Sequence, residues 1–246
     1  MTDTPADDLK PSFRSDVTVE LVKHTASDAD VLFAARVSTA GEQSLDELKK
    51  DPERSKGLIN FLMRDRHGSP FEHNSMTFFV SAPIFVFREF MRHRVGWSYN
   101  EESGRYRELQ PVFYVPDTSR KLVQEGRPGK YRFVEGTPEQ HELVTRAMED
   151  SYRQAYEAYR EMLAAGVARE VARSVLPVGL YSSMYATCNA RSLMHFLGLR
   201  TRHELAKVPS FPQREIEMVA EKMEAEWAKL MPLTHAAFNA NGRVAP

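Results

Sequence analysis

The feature that most constrains the fold is a long amphipathic segment at residues 138–165. Its tyrosines Tyr152, Tyr156 and Tyr159 stand four and then three residues apart, which places them on one face of an α-helix. A stripe of this kind is typical of a helix that packs against a core, so we interpret these tyrosines as core residues rather than as a cofactor site. The rest of the chain must therefore supply an apolar surface for one long helix.

Shorter periodic segments predict how that surface is built. Alternating apolar and polar residues predict strands at 17–22, 75–82, 111–115 and 180–188. Apolar residues at helical spacing predict helices at 29–37, 55–66, 83–94, 169–176, 189–200 and 211–231, the last being the final helix. Strands and helices are interspersed, but few strands lead cleanly into a crossover. We therefore predict an α/β (α+β) fold, with a mixed, mainly antiparallel sheet flanked by helices.

The remaining segments complete the predicted organisation. Residues 1–14 are predicted to be a disordered tail and residues 116–137 an exposed loop, which leaves residues 15–246 as a single domain. The net charge of -1 provides no broad field to attract nucleic acid or a membrane. There is no signal-peptide pattern and no apolar run that could span a bilayer. We therefore expect a cytoplasmic protein that binds neither nucleic acid nor membrane.

The densest chemical signal is the segment 88–108, REFMRHRVGWSYNEESGRYRE. It holds five arginines: Arg88, Arg92, Arg94, Arg105 and Arg107. Arg88 and Arg92 are predicted to share one helical face. One interpretation is a helix C-terminus that favours positive charge. The other is a binding site for a phosphate, a pyrophosphate or a flavin, because guanidinium groups match such anions with two parallel hydrogen bonds.

Ser103, Gly104 and Arg105 form a second candidate anion site. They supply a hydroxyl, a backbone N–H that a ligand can approach closely, and a guanidinium. The same residue types also form ordinary turns, so both interpretations stay open. Ser103 has no GxSxG context and is not expected to be a nucleophile.

Other candidate residues lie outside this segment. The sequence HGSPFEH at 67–73 could hold a metal by residue type, but it lacks HExxH or paired cysteines, so no metal site is expected. Arg191 and His195 share a helical face that begins at Asn189, a good N-cap residue. The single cysteine, Cys188, has no neighbouring histidine and is interpreted as a small buried apolar residue. GxGxxG and Walker A motifs are both missing, so a nucleotide cofactor would need another binding device.

Four segments in order resemble the flavin-dependent thymidylate synthases. The sequence RHR at 92–94 followed by SYNEESGRY at 98–106 is similar to the family signature, in which RHR is followed by seven residues and a serine. The segments HGSPFEH and SAPIFVFREFMRHR resemble its upstream motifs. REVARSVLP at 169–177 and NARSLMHFLGLR at 189–200 resemble its later motifs. The resemblance covers residues 16–230.

The resemblance implies a fold, a reaction and an assembly. The family fold is a mixed α/β domain around a curved antiparallel sheet, assembled as a homotetramer with its sites at subunit interfaces. The family reaction is the methylation of dUMP to dTMP. Methylenetetrahydrofolate donates the carbon, and FAD reduced by NADPH supplies the hydride, so no enzyme nucleophile is needed.

The resemblance also implies roles for individual residues. FAD would be held or flanked by His67, Ser69, Glu72, Arg92, His93, Arg94, Glu101, Asn189, Arg191 and His195. The nucleotide dUMP would be bound by Glu89, Arg92, Glu101, Glu102, Ser103, Gly104, Arg105, Arg173 and Arg200. Arg105 and Arg173 would contact its phosphate. Arg200 would be the catalytic residue, because a cation beside the pyrimidine stabilises its N3-deprotonated form.

Two departures from the family pattern, and two rival functions, stay open at this point. Eight residues rather than seven separate Arg94 from Ser103, so the positions of Val95, Gly96 and Trp97 are not assigned, and the segment 201–209 is extended. One rival is a flavoenzyme acting on another pyrimidine nucleotide. The other is a non-enzymatic module that binds RNA or a nucleotide, which the acidic residues interleaved with the arginines disfavour.

Overall fold

The computed structural model describes residues 10–40, 52–127 and 130–246. In chain order its elements are β1 (Ser12–Arg14), β2 (Thr18–His24), α1 (Asp28–Ala40), α2 (Pro52–Arg64), a 3-10 turn (Ser69–Glu72), β3 (Met76–Pro83), α3 (Ile84–Phe90), β4 (Trp97–Glu101), β5 (Val112–Tyr114), β6 (Val123–Arg127), β7 (Lys130–Val134), α4 (Pro138–Ala164), α5 (Arg169–Ala172), a second 3-10 turn (Arg173–Val175), β8 (Tyr181–Cys188), α6 (Ala190–Arg200), α7 (Arg214–Leu230) and α8 (Pro232–Ala240). Within these residues no helix is both long enough and apolar enough to cross a membrane.

The chain forms two compact units, each described by itself. The sheet unit comprises residues 17–81, 88–101 and 183–246. The helix unit comprises residues 1–16, 82–87 and 102–182, of which 1–9 and 128–129 lie outside the described residues.

The sheet unit is built on the four-stranded sheet β2-β3-β8-β4. Strand β2 pairs antiparallel with β3, and β4 pairs antiparallel with β8, with Trp97 opposite Cys188 and Glu101 opposite Met184. Alternate residues of β3, such as Phe78 and Val80, are fully buried, as the predicted strand requires. The mixed, mainly antiparallel sheet predicted from the sequence is confirmed.

Helix α7 shows how the helices of the sheet unit are held. Its apolar residues Ile216, Val219, Met223 and Trp227 are buried at helical spacing, and the helix contacts β2. Lys222 Nζ donates a hydrogen bond to the backbone oxygen of Val17 at 2.6 Å. The apolar stripe of α7 therefore covers the core.

The helix unit is organised around α4, as the tyrosine stripe predicted. Tyr152, Tyr156 and Tyr159 are buried in one apolar cluster with Phe113, and the rings of Phe113 and Tyr152 stack with centroids 4.9 Å apart. The helix begins at a capping box, in which Thr137 and Gln140 each satisfy the other's backbone N–H. The interpretation of the tyrosines as core residues is confirmed.

Three predictions about irregular segments are corrected. Ser12–Arg14 of the predicted tail forms β1 and pairs parallel with β5, because its backbone groups find partners in a distant strand. The predicted loop 116–137 contains the antiparallel hairpin β6–β7; β6 is mostly exposed and lacks an apolar pattern, whereas Tyr131 and Phe133 of β7 alternate with polar residues, a strand signal that the loop prediction missed. Helix α7 is not the last helix, since Pro232 at the first turn of α8 begins another.

The helix predicted at 83–94 ends early, and a strand that was not predicted follows it. Helix α3 stops at Phe90, so Arg88 and Arg92 do not share a helical face. The hydroxyl of Tyr99, on β4, donates to the backbone oxygens of Phe90 at 3.2 Å and His93 at 2.7 Å. Tyr99 therefore supplies a donor to the His93 oxygen and a second donor to the Phe90 oxygen, which also accepts from His93 N at 3.0 Å in the turn after the helix.

Candidate functional site

A cavity in the sheet unit brings together five of the ten residues predicted to bind FAD. Its volume is about 330 Å³, and it lies between the segment after α3 and the first turns of α6. The residues lining it are Glu72, His93, Arg94, Val95, Trp97, Arg191, Ser192 and His195. Val95, Trp97 and Ser192 were not predicted to contribute to the site.

Arg191 is held in this cavity by two protein oxygens. Its Nη1 donates to Glu72 Oε1 at 2.6 Å, and its Nε donates to the backbone oxygen of Pro246 at 2.6 Å. The guanidinium also lies against Gly68, where an added Cβ would stand only 2.5 to 2.8 Å from it. A side chain at position 68 would therefore displace Arg191, which explains the glycine in HGSPFEH.

Gly96 lies in the segment after RHR that is one residue longer than the family pattern. It adopts a left-handed conformation with φ +70°, which glycine tolerates without strain. An added Cβ would clash with Ser192 Oγ. Ser192 Oγ instead donates to Val95 O at 2.9 Å, and Asn189 Oδ1 accepts from Ser192 N at 2.9 Å. The turn at 95–96 is thus joined to the capped N-terminus of α6.

An aromatic cluster supports the cavity from within the sheet unit. Phe90 stacks on Phe196 with ring centroids 4.6 Å apart, and Trp97 stacks on Tyr99 at 5.7 Å. The ring of His93 meets the Phe196 ring edge-on at 4.9 Å. Packed rings have few alternative positions, so the segment that carries His93 and Arg94 has a rigid base.

His93, Glu89 and Arg200 form a connected group. Arg200 Nε donates to His93 Nε2 at 3.1 Å, and Arg200 Nη1 contacts Glu89 Oε2 at 2.5 Å. Burial, together with the charge of Arg200 and the proximity of His195, lowers the pKa of His93 to about 4. His93 is therefore neutral near pH 7, which leaves Nε2 free to accept the hydrogen bond from Arg200.

His195 is the second histidine of the cavity. Burial, and then the positive charge of Arg191, lower its pKa below the ordinary histidine value. The cavity therefore combines two neutral imidazoles with the guanidinium groups of Arg94 and Arg191. Arg94 makes no side-chain ion pair or hydrogen bond within 10–40, 52–127 and 130–246. This set of donors suits an anionic or carbonyl-rich cofactor.

Other predicted FAD residues lie in the sheet unit without lining the cavity. His67 stacks on Phe61 with centroids 5.6 Å apart, and Ser69 is exposed in the same 3-10 turn as Glu72. Arg92 is exposed, and Glu101 ends β4. Asn189 acts as the predicted N-cap of α6, so its prediction as a cap is confirmed while its FAD contact stays a prediction.

The helix unit brings together Ser103, Gly104, Arg105 and Arg173. An added Cβ on Gly104 would stand 3.2 Å from Arg173 Cδ, so the glycine permits a close approach of the two segments. Arg105 N donates to Ser103 Oγ at 3.2 Å, and Arg105 Nε pairs with Glu170 at 2.9 Å. The Arg173 guanidinium has no hydrogen bond or ion pair to the part of the chain that the structure describes.

Glu102 and Cys188, both considered in the sequence analysis, are placed in different units of the chain. Glu102, predicted to contact dUMP, pairs with Arg107 at 3.7 Å within the helix unit. Cys188 is buried in β8, and burial raises the pKa of its thiol, so it does not supply a thiolate. Its interpretation as a buried apolar residue is confirmed. Among the described residues no group of three or more His, Cys, Asp and Glu side chains could hold a metal ion.

Known proteins resemble the chain over nearly its full length. A family model described as "Thymidylate synthase complementing protein" matches residues 20–233. The flavin-dependent thymidylate synthase of Streptomyces avermitilis is 91% identical over 246 residues, which is 100% of both chains. That of Tropheryma whipplei is 60% identical over 240 residues, covering 97% of this chain and 98% of the relative.

A solved structure is also similar. The UMP/dUMP methylase PolB of Streptomyces cacaoi, bound with 5-Br dUMP, is 60% identical and superposes with a TM-score of 0.89, covering 95% of this chain and 99% of that chain. The same protein bound with 5-Br UMP superposes with a TM-score of 0.88.

Proposed function

The chain belongs to the thymidylate synthase complementing family, that of the flavin-dependent thymidylate synthases, and we propose that its cavity in the sheet unit carries the flavin for the methylation of dUMP to dTMP. The observation that supports this role is the convergence of Glu72, His93, Arg94, Arg191 and His195 on one cavity. These residues come from three separate segments of the chain, and family motifs contain all of them.

The residues present fit FAD. Two guanidinium groups face a cavity with neutral imidazole neighbours, and Gly68 lets the backbone approach Arg191 closely. A dinucleotide held in this way needs no Rossmann loop, since side-chain cations replace the backbone amides of such a loop. When bound and reduced, FAD supplies a hydride. His67, Ser69, Arg92, Glu101 and Asn189 are proposed as further contacts.

The proposed reaction joins dUMP and methylenetetrahydrofolate. C5 of dUMP gains a methylene group from methylenetetrahydrofolate and loses its proton, tetrahydrofolate leaves as the carbon–nitrogen bonds break, and the hydride completes the methyl group. NADPH is the proposed source of the electrons.

Arg200 is the proposed catalytic residue. Its guanidinium is half-buried, held by Glu89 and His93, and a cation in such a setting lowers the pKa of a nearby pyrimidine N3. The neutral His93 accepts a hydrogen bond from Arg200 and brings no charge of its own. The Glu89 carboxylate orients Arg200 through a short ion pair. Glu89 is also a proposed contact of the nucleotide.

The phosphate of dUMP is assigned to the helix unit. Arg105 and Arg173, the latter without an ion pair to any described residue, supply the positive charge, and Ser103 and Gly104 supply a hydroxyl and an accessible backbone N–H. Glu102 is a further proposed contact. We propose that residues 15–246 act as one functional domain, that the chain forms a homotetramer, and that it is cytoplasmic.

The function is tested by anaerobic turnover of the purified protein with FAD, dUMP, methylenetetrahydrofolate and NADPH, with dTMP as the product measured. We expect a yellow protein that NADPH bleaches faster when dUMP is present. Arg200→Ala should retain FAD and make almost no dTMP. Arg214→Ala, which removes an exposed arginine of α7, is the matched control and should stay active. A protein that binds no FAD, or that makes no dTMP, would refute the proposal.

A second pyrimidine nucleotide has a specific observation in its favour. PolB, 60% identical, is a UMP/dUMP methylase, so UMP could be methylated instead of dUMP. The same assay with UMP decides between them. We expect dUMP to be favoured, because relatives that are 91% and 89% identical are named as thymidylate synthases. A higher kcat/KM for UMP would reverse the assignment.

A further inference from the structure

The last residues of the chain contact two arginines that lie on either side of the HGSPFEH turn. Arg66 Nη1 donates to the backbone oxygens of Val244 at 2.7 Å and Ala245 at 3.0 Å. Arg191 Nε donates to the backbone oxygen of Pro246 at 2.6 Å. Three consecutive backbone oxygens therefore connect the residue after α2 to the cavity arginine of α6.

This segment, residues 244–246, is firmly anchored at its start. The side chain of Arg243 is 1% exposed, and its guanidinium contacts Glu224 at 2.6 Å. Its Nη2 also donates to Thr201 Oγ1 at 2.9 Å. Hydrogen bonds from Arg243 and His235 outweigh burial and lower the pKa of Glu224 to about 2. The anchor is therefore an ion pair at neutral pH.

Arg66, at the other end of this connection, directly precedes the HGSPFEH turn. Arg66 adopts φ +64°, and His67 N donates to Leu62 O at 2.9 Å, closing the end of α2. Two residues later, Gly68 lies against the Arg191 guanidinium. Arg66 is thus close in sequence to the turn and is joined to Arg191 through the backbone of 244–246.

The hydrogen bonds of Arg191 show what this arrangement does. Its Nε and Nη1 are bound to Pro246 and Glu72, while its Nη2 has no hydrogen bond to any described residue. The Pro246 oxygen and the Glu72 carboxylate accept from two different nitrogens of Arg191, so together they fix the orientation of its guanidinium. The orientation leaves Nη2 as the nitrogen available to a ligand oxygen.

We propose that residues 244–246 form a backbone clamp that positions Arg191 for the flavin, and that Arg66 is a positioning residue acting through this clamp. The proposal rests on the flavin role of Arg191 given above. Arg66 belongs to none of the family motifs and does not line the cavity.

The test is a double-mutant cycle on FAD affinity in the full-length protein. The dissociation constant of FAD is measured by titration of flavin fluorescence for Arg66→Ala, Arg191→Lys and the double variant. Arg66→Ala should weaken FAD binding by about five- to tenfold, the loss expected for one or two charge-assisted hydrogen bonds at a partly exposed site. In the Arg191→Lys background the same change should weaken binding by less than about twofold, because residues that act as one unit are not additive.

Matched variants separate positioning from folding. Arg64→Ala removes a neighbouring arginine whose ion pair is with the adjacent Asp65, and it should leave FAD affinity unchanged. Arg66→Gly removes the same donors as Arg66→Ala at a position where glycine favours the backbone conformation. It should give the same loss of affinity with little change in the melting temperature of the FAD-free protein.

Failure of the clamp and failure of the proposed function give different results in these measurements. If Arg66→Gly binds FAD as tightly as the wild type, the clamp is refuted while the proposed function stands. Additive losses in the Arg191→Lys background would also refute it, since Arg66 would then act through general stability. A wild-type protein that binds no FAD would refute the proposed function itself.

Discussion

The hydrogen bond between Arg200 and His93 leads to a prediction about catalysis. The change is His93→Ala, which removes the acceptor of Arg200 Nε at 3.1 Å. The ion pair with Glu89 at 2.5 Å remains, so Arg200 keeps its charge but loses one of the contacts that fix its plane. We expect a slower conversion of dUMP to dTMP rather than its complete loss.

The magnitude follows from the kind of hydrogen bond. A hydrogen bond to a charged group contributes about 1.5–3 kcal/mol when the group is buried. The Arg200 side chain is 19% exposed and keeps its carboxylate partner, so we take about 1–2 kcal/mol, close to the lower limit. At 1.36 kcal/mol per factor of ten, the rate should fall roughly five- to thirtyfold.

The assay is single-turnover formation of dTMP at saturating FAD, with the FAD dissociation constant measured separately. His93→Gln keeps an acceptor oxygen and should recover much of the rate lost in His93→Ala. His195→Gln changes the other neutral histidine of the cavity, which is not bonded to Arg200, and serves as the matched control. It should change FAD affinity without an equal change in the chemical step.

Two results would contradict this reasoning. A normal rate in His93→Ala at saturating FAD would show that Arg200 needs no acceptor at Nε. Equal rates in His93→Ala and His93→Gln, both low, would show that the ring itself matters, for example through its packing on Phe196 at 4.9 Å.

Three further predictions concern the role of Cys188, the free energy of unfolding and the assembly of subunits around the sites. Cys188→Ala should retain nearly full dTMP synthesis, because the pKa of the buried thiol is raised; loss of all turnover in a folded variant would indicate covalent catalysis. Glu224→Gln should lower the free energy of unfolding by about 3 kcal/mol in urea titrations, because it leaves the buried Arg243 without its carboxylate. Since the pKa of Glu224 is lowered from 4.5 to about 2, the stabilisation is complete above the unfolded value of 4.5 and is lost as the pH falls towards about 2; an unfolding free energy that falls equally between pH 4.5 and 2 in both proteins would contradict this. Arg105→Ala and Arg200→Ala chains, each nearly inactive alone, should regain about a quarter of wild-type activity when mixed and reassembled, as random pairing of subunits around shared sites requires; a mixture that stays inactive despite verified subunit exchange would place both arginines at one site from one chain.

The sequence determined those features that depend on neighbours along the chain. The tyrosine spacing of α4 is a local periodicity, and the stripe is buried as predicted. Asn189 caps α6 through the N–H of Ser192, three residues away. The family motifs predicted ten residues for a flavin site, and five of them line one cavity of the sheet unit. Each motif is a short run of neighbouring residues, so it can be read from the sequence before the fold is known.

The tertiary structure decided which of these residues meet. His93 and Arg200 are 107 residues apart in sequence, and Glu72 and Arg191 are 119 apart. Their contacts depend on the pairing of β4 with β8 and on the docking of α6, which no local pattern encodes. At the early end of α3, Tyr99 of β4 donates to the backbone oxygens of Phe90 and of His93, a contact that the helical pattern of the sequence did not predict.

The tertiary structure also decided features that the sequence analysis did not predict. Strand β6 (VQEGR) is mostly exposed and lacks the apolar alternation by which strands are recognised in a sequence, whereas KYRFV of β7 has that alternation. The contacts of residues 244–246 are made by backbone oxygens, which every residue carries. Side-chain identity can predict a buried face or a cap, but hydrogen bonds of the backbone become specific only when the folded chain brings a particular arginine within reach.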